Sequence, residues 1–389
     1  MSSQSGERPT SHPGPKIGHP SGGDDGLQAG RTAAGAPPSG HRPPDVPPFN
    51  LSRSGRFHAG CRVEGAFLVA EVQVRHGDCP YTILVLARAG ARMSTAPFWE
   101  SDRHRIAGLR RGDVVQVTGT VGVYRERCQL QVESLRLVPE EEANWEEILP
   151  SVGPVAASWE QLDRWRAEVT APRLRAVLAL FYGDARFRAR YERCPASPAG
   201  HHAALGGLLL HTVEVAGLAS ELARRFPAAD PDLLLAGALL HDIGKLEAYH
   251  WRRGFGTTVA GHAIGHVVLG ALMLERAVRR APAPPCTESE LLLLQHLVLS
   301  HHGRLDFGAP VVPMTLEAEL LHHADLASAR GAAMDEALRD SANFPDAAPV
   351  SARGVWQLDH RKLWRSGSDW GRSGAIGDAA VAPSGDGPA

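Results

Sequence analysis

The segment LLHDIGKLE, residues 239–247, places a histidine directly beside an aspartate within an apolar stretch. A carboxylate that is buried without a partner is strongly unfavourable, so Asp242 is expected to be paired or to bind a metal. His241 offers a nitrogen ligand next to it. Further donors flank the segment at His211, His266, His301, His302 and Asp325. Nitrogen and oxygen donors in this number suffice for two divalent metals.

Lys245, in the same segment, is an unusual residue for this chain. Only three lysines (Lys16, Lys245 and Lys362) occur among 41 basic residues, and the other 38 are arginines. On a continuous helix, Lys245 would lie one turn after His241 on the same face. The position is therefore predicted to require a compact ammonium rather than a guanidinium fork. The alternative is that the lysine falls here by chance.

The bulk composition is that of an ordinary globular protein. The 389 residues, 43% hydrophobic and 22% charged, allow two folded domains, and the net charge of -2 excludes a polycation. Five cysteines without C-x-x-C spacing predict free thiols in a reducing compartment. There is no apolar run of the roughly 18–20 residues that span a bilayer, and no signal peptide is recognisable. We therefore expect a cytoplasmic protein.

Changes in sequence pattern predict five segments along the chain. Residues 1–50 are rich in Ser, Gly, Pro, Arg and His and are expected to be disordered, as are residues 367–389. Residues 51–140 alternate apolar and polar positions between turn residues, which predicts a small β-barrel with the OB-fold as the leading candidate. Residues 141–157 are expected to form a linker. Residues 158–366 show helical periodicity and predict an all-α domain that holds every candidate metal ligand.

Capping and turn residues predict where the helices of this domain begin and end. Ser158 is expected to cap a helix over 159–169, and Pro231 to open one that continues through Lys245. Further helices are predicted over 208–226, 262–279, 288–302 and 316–338. Separate helices would thus deliver the ligands to one interior site. There an aspartate can bridge two metals about 3.5–4 Å apart, which clamp both oxygens of an in-line phosphoryl displacement.

The barrel segment has the charge and the aromatic residues of a single-strand-binding surface. Residues 51–138 contain 13 Arg, no Lys and 8 Asp or Glu, a local charge of +5. OB-folds hold single strands in a basic groove with stacking rings. Phe67 is expected in the barrel core, whereas Trp99 and Tyr124 suit either the core or stacking. The predicted nucleic-acid-binding residues are Tyr81, Trp99, Arg110, Arg111 and Tyr124.

The spacing of the donors resembles a known signature. His211, His241-Asp242 and Asp325 resemble the motif of the HD superfamily of metal-dependent phosphohydrolases. The stretches GGLLLHT (206–212), GHVVLG (265–270) and LSHHG (299–303) resemble the YhaM-type 3'-5' exoribonucleases, which join an N-terminal OB-fold to a C-terminal HD domain. The resemblance spans roughly residues 55–365.

Three positions depart from related patterns. Residues 86–92 (LARAGAR) lack the Asp and Thr-Gly of the family's corresponding strand and turn. Gly207 stands one turn before His211, where some three-metal HD enzymes carry a glutamate. No G-Y-P triplet follows the histidine pair 301–302, which argues against the branch that acts on cyclic dinucleotides.

The resemblance implies metal-dependent removal of nucleotides from the 3' end of single-stranded RNA, with single-stranded DNA as a further substrate. It implies two divalent ions, with manganese favoured over Mg, Co, Fe or Ni. The implied metal ligands are His211, His241, Asp242, His266, His301 and Asp325, with Asp242 shared and His302 as the alternative to His301. The implied catalytic residues are Asp242, Lys245 and His302. In this scheme Lys245 neutralises the phosphate or orients the nucleophile, and the histidine that is not a ligand protonates the leaving oxygen.

Two other functions remain open on the sequence. The HD domain could hydrolyse free nucleotides, with the barrel serving in assembly. Alternatively, it could be structural in a non-catalytic single-strand-binding protein. The arginine-rich barrel weighs against the first alternative and the complete ligand set against the second. The sequence leaves open whether the chain forms a homo-oligomer.

Overall fold

A computed structural model describes residues 58–125, 127–200, 202–345, 348–368 and 370. The predicted disordered tail over residues 1–50, and nearly all of the one over 367–389, lie outside these described residues. Within them, an antiparallel barrel-like sheet is followed by a helical domain, which confirms the predicted fold class. No helix in the described ranges is long and apolar enough to cross a membrane.

The barrel is built from strands β1 (Arg62–Arg75), β2 (Tyr81–Arg88), β3 (Ala91–Ser94), β4 (Phe98–Trp99), β5 (Val114–Tyr124) and β6 (Arg127–Val138). Their antiparallel order is β3-β2-β1-β5-β6, with β4 pairing β2. A parallel bridge between Thr95 and Leu130 links the end of β3 to β6 and closes the sheet on itself. The result is an OB-like barrel that contains two short strands, β3 and β4, absent from the sequence-based prediction.

Alternating side chains fill the barrel interior. Phe67 and Val69 on β1, Leu84 on β2, and Val115 and Val117 on β5 are at most 2% exposed. They share one face of the sheet because successive side chains of a strand point to opposite faces. The expectation that Phe67 belongs to the core is confirmed.

The helical domain follows in chain order. Its helices are α1 (Trp145–Ile148), α2 (Ala156–Glu168), α3 (Pro172–Tyr182), α4 (Ala185–Tyr191), α5 (Gly207–Arg225), α6 (Pro231–Leu240), α7 (Lys245–Ala248), α8 (Val259–Ile264), α9 (His266–Arg280), α10 (Glu288–Ser300) and α11 (Leu316–Arg339). Every residue of α6 from Leu233 to Leu240 is buried. Because a helix that is apolar on every face is stable only when it is surrounded by other elements, α6 lies in the interior of the domain.

Three predicted helix limits were wrong. Helix α2 begins at Ala156 with Val155 at its N-cap, so Ser158 lies inside the helix. Helix α6 ends at Leu240, and residues 241–244 form a turn where a helix through Lys245 was predicted. The predicted helix over 262–279 is two helices, α8 and α9. They are separated by Gly265, whose φ of +82° is incompatible with a continuing helix.

A C-terminal segment, residues 348–368, folds back on α11. Its buried side chains Val355, Leu358 and Leu363 pack against Ala333 and Ala337 of that helix. A single 3-10 turn, Trp356–Leu358, lies within this segment.

The barrel and the helical domain pack into one compact unit. The backbone N–H of Ala89 donates to the carbonyl oxygen of Ile148 at 2.8 Å. Ile148 is buried, although it lies in residues 141–157, which were expected to form a linker. Arg253, in the turn of a small hairpin formed by β7 (Tyr249–His250) and β8 (Gly256–Thr257), pairs with Glu140 at 2.8 Å. These contacts fix the barrel against the domain that carries the ligands.

Candidate metal centre

Separate elements deliver the six predicted ligands to one place. The turn after the buried helix α6 starts in the interior and carries His241 and Asp242. The remaining four come from α5, the start of α9, the residue after α10 and the middle of α11: His211, His266, His301 and Asp325, respectively.

Gly244 lets two of these elements approach closely. A Cβ at this position would lie 2.0 Å from the backbone oxygen of His266 and 2.3 Å from the backbone nitrogen of Gly270. Backbone atoms cannot move aside cheaply, so the 241–244 turn can pack this tightly on α9 only with glycine here. The glycine of the LLHDIGKLE segment therefore positions His266 beside Asp242.

The two carboxylate oxygens of Asp242 face two different groups of histidines. Oδ2 lies 3.1 Å from His241 Nε2 and 3.4 Å from His211 Nε2. Oδ1 lies 3.5 Å from His266 Nε2 and 3.8 Å from His301 Nε2. The two groups thus share one carboxylate, which is the arrangement of an aspartate that bridges two cations.

Asp325 and His302 extend the two groups. Asp325 Oδ1 lies 3.0 Å from His211 Nε2 and 3.9 Å from His241 Nε2, so it belongs with the first group. The His302 ring centroid lies 4.4 Å from that of His301 and 5.0 Å from that of His266. His301 is fully buried and His302 is partly exposed, so His301 is the more enclosed candidate of the pair.

Four polar atoms at the centre are buried without a hydrogen-bond partner among the described residues. They are Asp242 Oδ1 and Oδ2, His266 Nε2 and His301 Nε2, and of these Oδ2 faces the Lys245 ammonium. An unpartnered buried polar atom costs about 1–3 kcal/mol, and a charged one costs more. Imidazole and carboxylate donors together suit divalent transition metals. The residues present therefore fit a divalent cation.

The far side of three of the histidine rings is held by a hydrogen bond that aims Nε2 at the centre. His241 Nδ1 is 2.8 Å from the carbonyl oxygen of Ala238, and His301 Nδ1 is 2.6 Å from that of Val298. His211 Nδ1 lies 3.0 Å from Ser328 Oγ, and that hydroxyl donates to a carboxylate oxygen of Glu214 at 2.7 Å. Such partners fix the tautomer and the ring orientation of metal-binding histidines.

Ser328 and Glu214 were not among the predicted site residues. Ser328 follows Asp325 by three positions, and Glu214 follows His211 by three, so each lies on the ligand face of its helix. This spacing is the sequence signal that could have located them.

Burial and neighbouring charge set the protonation of the histidines. Burial lowers the pKa of His266 to about 3 and holds the pKa of His301 well below its usual value, so both rings are neutral and present a lone pair. Burial also lowers the pKa of His211, but hydrogen bonds to Asp242 and Asp325 outweigh this effect and raise the pKa to about 9. Positive charge is therefore favoured between these two carboxylates, which is where a divalent cation would replace the proton.

Lys245 neutralises the shared carboxylate. Its Nζ lies 2.5 Å from Asp242 Oδ2, and the two side chains are 8% and 1% exposed. Burial alone would raise the pKa of Asp242 and lower that of Lys245. Their mutual attraction, helped by His241, outweighs burial and keeps the pKa of Asp242 well below, and that of Lys245 above, the usual values. The predicted placement of Lys245 on one helix with His241 was wrong, because α6 ends before His241 and Lys245 starts α7.

The structure distributes the predicted nucleic-acid-binding residues over several places on the barrel. Tyr81 and Trp99 form an edge-on ring pair at 5.2 Å, and Trp99 is 47% exposed. Tyr124 is exposed at the tip of the β5–β6 hairpin. Arg110 and Arg111 are exposed just before β5. Tyr81 lies at the start of β2, about 20 Å along the strand from the end that faces the helical domain.

One cavity adjoins the centre, and a second has Ala199 in common with its wall. The first, of about 380 Å³, has His302 and Asp325 in its wall and extends along α11 to the C-terminal segment. The second, of about 370 Å³, is a groove between the barrel and the helical domain, lined by Arg111 and Arg253 among others. Ala199 lines both cavities, so the groove lies beside the cavity that adjoins the centre.

Comparison with known proteins agrees with this architecture. The family model described as "HD domain" matches residues 208–330, the stretch that carries all six predicted ligands. The barrel-like sheet, the helical domain and the His/Asp centre thus define an HD-type phosphohydrolase with a candidate divalent-metal site. No solved structure matched the chain.

Curated relatives extend the match beyond the HD domain. The chain is 31% identical over 245 residues to the 3'-5' exoribonuclease YhaM of Bacillus subtilis, an alignment that covers 62% of this chain and 76% of the relative. Identity is 32% over 227 residues to YhaM of Bacillus velezensis, covering 58% and 71%. It is 30% over 264 residues to YhaM of Bacillus pumilus, covering 67% and 81%. The chain belongs to the YhaM-type 3'-5' exoribonuclease family.

Proposed function

We propose that this protein is a metal-dependent exoribonuclease that removes nucleotides from the 3' end of single-stranded RNA, and that it also accepts single-stranded DNA. The observation that carries the proposal is the placement of Asp242, whose two oxygens face two separate groups of histidines across distances of 3.1–3.8 Å. An aspartate shared in this way suits a centre for phosphodiester hydrolysis. The names of the YhaM relatives supply the polarity and the RNA substrate.

The donor groups fit two divalent cations, with manganese favoured and Mg, Co, Fe or Ni as alternatives. The first cation would be held by His211, His241 and Asp325, the second by His266 and His301, and Asp242 would be shared. When bound, such cations supply Lewis acidity that activates water and neutralises charge on the phosphate.

Lys245 and His302 act beside these ligands. Lys245 is buried against Asp242 and keeps the shared carboxylate ionised and oriented. His302 is partly exposed, lines the cavity beside the centre, and is held by a 2.8 Å contact from Nδ1 to the carbonyl oxygen of Phe307. A histidine placed there, once it is protonated at Nε2, can pass that proton to the 3' oxygen of the shortened strand as the terminal nucleotide leaves.

The strand reaches the centre along the groove between the two domains. Arg111 and Arg253 line that groove, and arginines there neutralise the phosphate backbone without reading sequence. The groove meets the centre's cavity at Ala199. Tyr81, Trp99 and Tyr124 stack bases farther along the barrel. The five cysteines of the chain, which are spaced without a C-x-x-C pair, favour a reducing, cytoplasmic location for this activity.

A 5'-labelled RNA of about 20 nucleotides tests strand polarity and substrate directly. The length covers an OB site of about 4–16 nucleotides. With Mn²⁺ we expect a ladder that shortens from the 3' end, with nucleoside 5'-monophosphates as products. An enzyme that hydrolyses free nucleotides but leaves the labelled RNA intact would instead be the nucleotide phosphohydrolase that the sequence left open.

A further inference from the structure

The cavity beside the metal centre is walled by two exposed aromatic rings. Phe307 follows α10 and the histidine pair, and Trp356 belongs to the C-terminal segment. Trp356 is 61% exposed and Phe307 is 46% exposed, although both are large aromatic side chains. The volume of about 380 Å³ lies at the small end of the range for ligand pockets, roughly 300–1,000 Å³.

The position of Trp356 is fixed by its surroundings. Leu358, two residues on, is fully buried in the cluster that attaches the C-terminal segment to α11. Arg330 of α11 pairs with Asp359 at 2.7 Å, and both also line the cavity. Asp359 has φ +57°, a left-handed conformation that aspartate adopts in tight turns. Buried Leu358 and the Arg330–Asp359 pair hold the turn that carries Trp356 on α11.

One face of α11 connects the metal centre to this aromatic wall. Asp325 and Arg330 both line the cavity and are five residues apart, which corresponds to about 7.5 Å along a helix. The matched HD region ends at residue 330, so Trp356 lies outside it. A segment beyond the matched region therefore supplies the far wall of the cavity.

We propose that this cavity binds the 3'-terminal nucleotide of the strand, with its base stacked on Trp356. The inference rests on the proposed function for the direction of the strand. If the scissile phosphate lies at Asp242, the body of the strand occupies the groove beyond Ala199. The terminal nucleotide, on the other side of that phosphate, then lies in the cavity. Stacking on an aromatic ring requires a base but does not discriminate between the four bases. This suits an enzyme that removes successive nucleotides of any identity. Arg330 is then a positioning residue, because it acts through the turn at Asp359.

The test compares two RNA substrates of 20 nucleotides, one intact and one that carries an abasic ribose at its 3' terminus. The measured quantity is the ratio of kcat/KM values for intact and abasic RNA within each variant. A variant that is merely less active keeps this ratio. For the wild-type protein we expect a ratio of roughly 5- to 150-fold, the range for base–aromatic stacking. Trp356→Ala should bring the ratio close to one, and Trp356→Phe should restore most of it.

Trp364→Ala is the matched control. Trp364 lies in the same C-terminal segment and is 72% exposed, but it is not part of the cavity wall. This variant should keep the wild-type ratio and the wild-type rate. A Trp356→Ala protein that discriminates against the abasic end as strongly as the wild type would overturn the inference.

Titration with adenosine 5'-monophosphate, followed by calorimetry, separates the inference from the proposed function. If the protein leaves RNA intact but binds the nucleotide, and Trp356→Ala weakens binding at least fivefold, the cavity assignment stands and the nuclease assignment falls. If RNA is degraded and Trp356→Ala leaves the substrate ratio unchanged, the nuclease assignment stands and the cavity assignment falls. A protein that neither degrades RNA nor binds the nucleotide contradicts both.

Discussion

Replacing Lys245 with methionine tests how the centre balances its charge. The ammonium lies 2.5 Å from Asp242 Oδ2, and both side chains are buried. Removing one partner of a buried ion pair costs about 3–5 kcal/mol. The lower end applies here, because His241 and His211 remain within 3.1 and 3.4 Å of the same oxygen. A loss of about 3 kcal/mol corresponds to a fall of roughly 6–12 °C in Tm for a domain of about 200 residues.

Thermal unfolding of the metal-stripped protein, with and without added Mn²⁺, measures this effect. Mn²⁺ should recover more stability in Lys245→Met than in the wild type, because a cation at Asp242 takes over part of the neutralisation. Lys362→Met is the control, since Lys362 is exposed, and it should leave Tm within about 2 °C, as surface substitutions usually cost under 0.5 kcal/mol. An unchanged Tm in the metal-stripped Lys245→Met protein would refute the buried pair.

Three further substitutions test the other parts of the account. Asp242→Asn should reduce the rate of RNA hydrolysis far more than tenfold, where tenfold corresponds to about 1.4 kcal/mol of activation free energy. A filter-binding assay should still detect single-stranded RNA on the barrel. Retention of a tenth of the wild-type rate would argue against a shared carboxylate. Ser328→Ala removes the partner of His211 Nδ1 and should weaken metal affinity about 10- to 100-fold in a competition titration. Ser289→Ala, at an exposed position, is the control and should leave the affinity unchanged. Equal affinities in the two variants would mean that the Ser328 contact is incidental. Arg111→Glu should weaken binding of a 20-nucleotide strand and flatten the salt dependence of that binding. Arg136 is exposed but is not part of the groove, so Arg136→Glu should have a smaller effect on both. Indistinguishable salt slopes for the two variants would place the strand elsewhere.

The convergence of the ligands could be predicted from the sequence because their chemistry is costly in isolation. A buried His-Asp pair requires a partner, and the donors needed to satisfy it stand on separate predicted helices. Alternation predicted the barrel, and Phe67 was correctly expected in its core. These inferences depend on local pattern and on the expense of burying charge.

The details that failed depend on tertiary contacts. The helix predicted from Pro231 through Lys245 ends at Leu240, and the turn that follows packs through Gly244 against the backbone of Gly270. That contact joins residues far apart in sequence, so periodicity within one helix cannot reveal it. The wall formed by Trp356 is also invisible to pattern, since it depends on how the C-terminal segment folds back on α11.

The spread of the barrel residues has a similar cause. Charge and aromatic content identified a candidate binding domain, but the register of the strands decides which residues share a surface. Tyr81 pairs with Arg75 at one end of the β1–β2 ladder, whereas Leu68 of the interdomain groove pairs with Ala87 at the other. Composition alone carries no information on that separation.

Titration of Mn²⁺ into metal-stripped protein, with bound metal and RNA hydrolysis measured on the same samples, tests whether the His/Asp centre carries the nuclease activity. We expect shortening of 5'-labelled RNA from its 3' end only in samples that contain bound metal. The rate should rise to a plateau as occupancy approaches about two ions per chain. Asp242→Asn should not reach that plateau at any metal concentration. Undiminished 3'-end removal by the wild-type protein in excess EDTA, with no metal bound, would contradict the account.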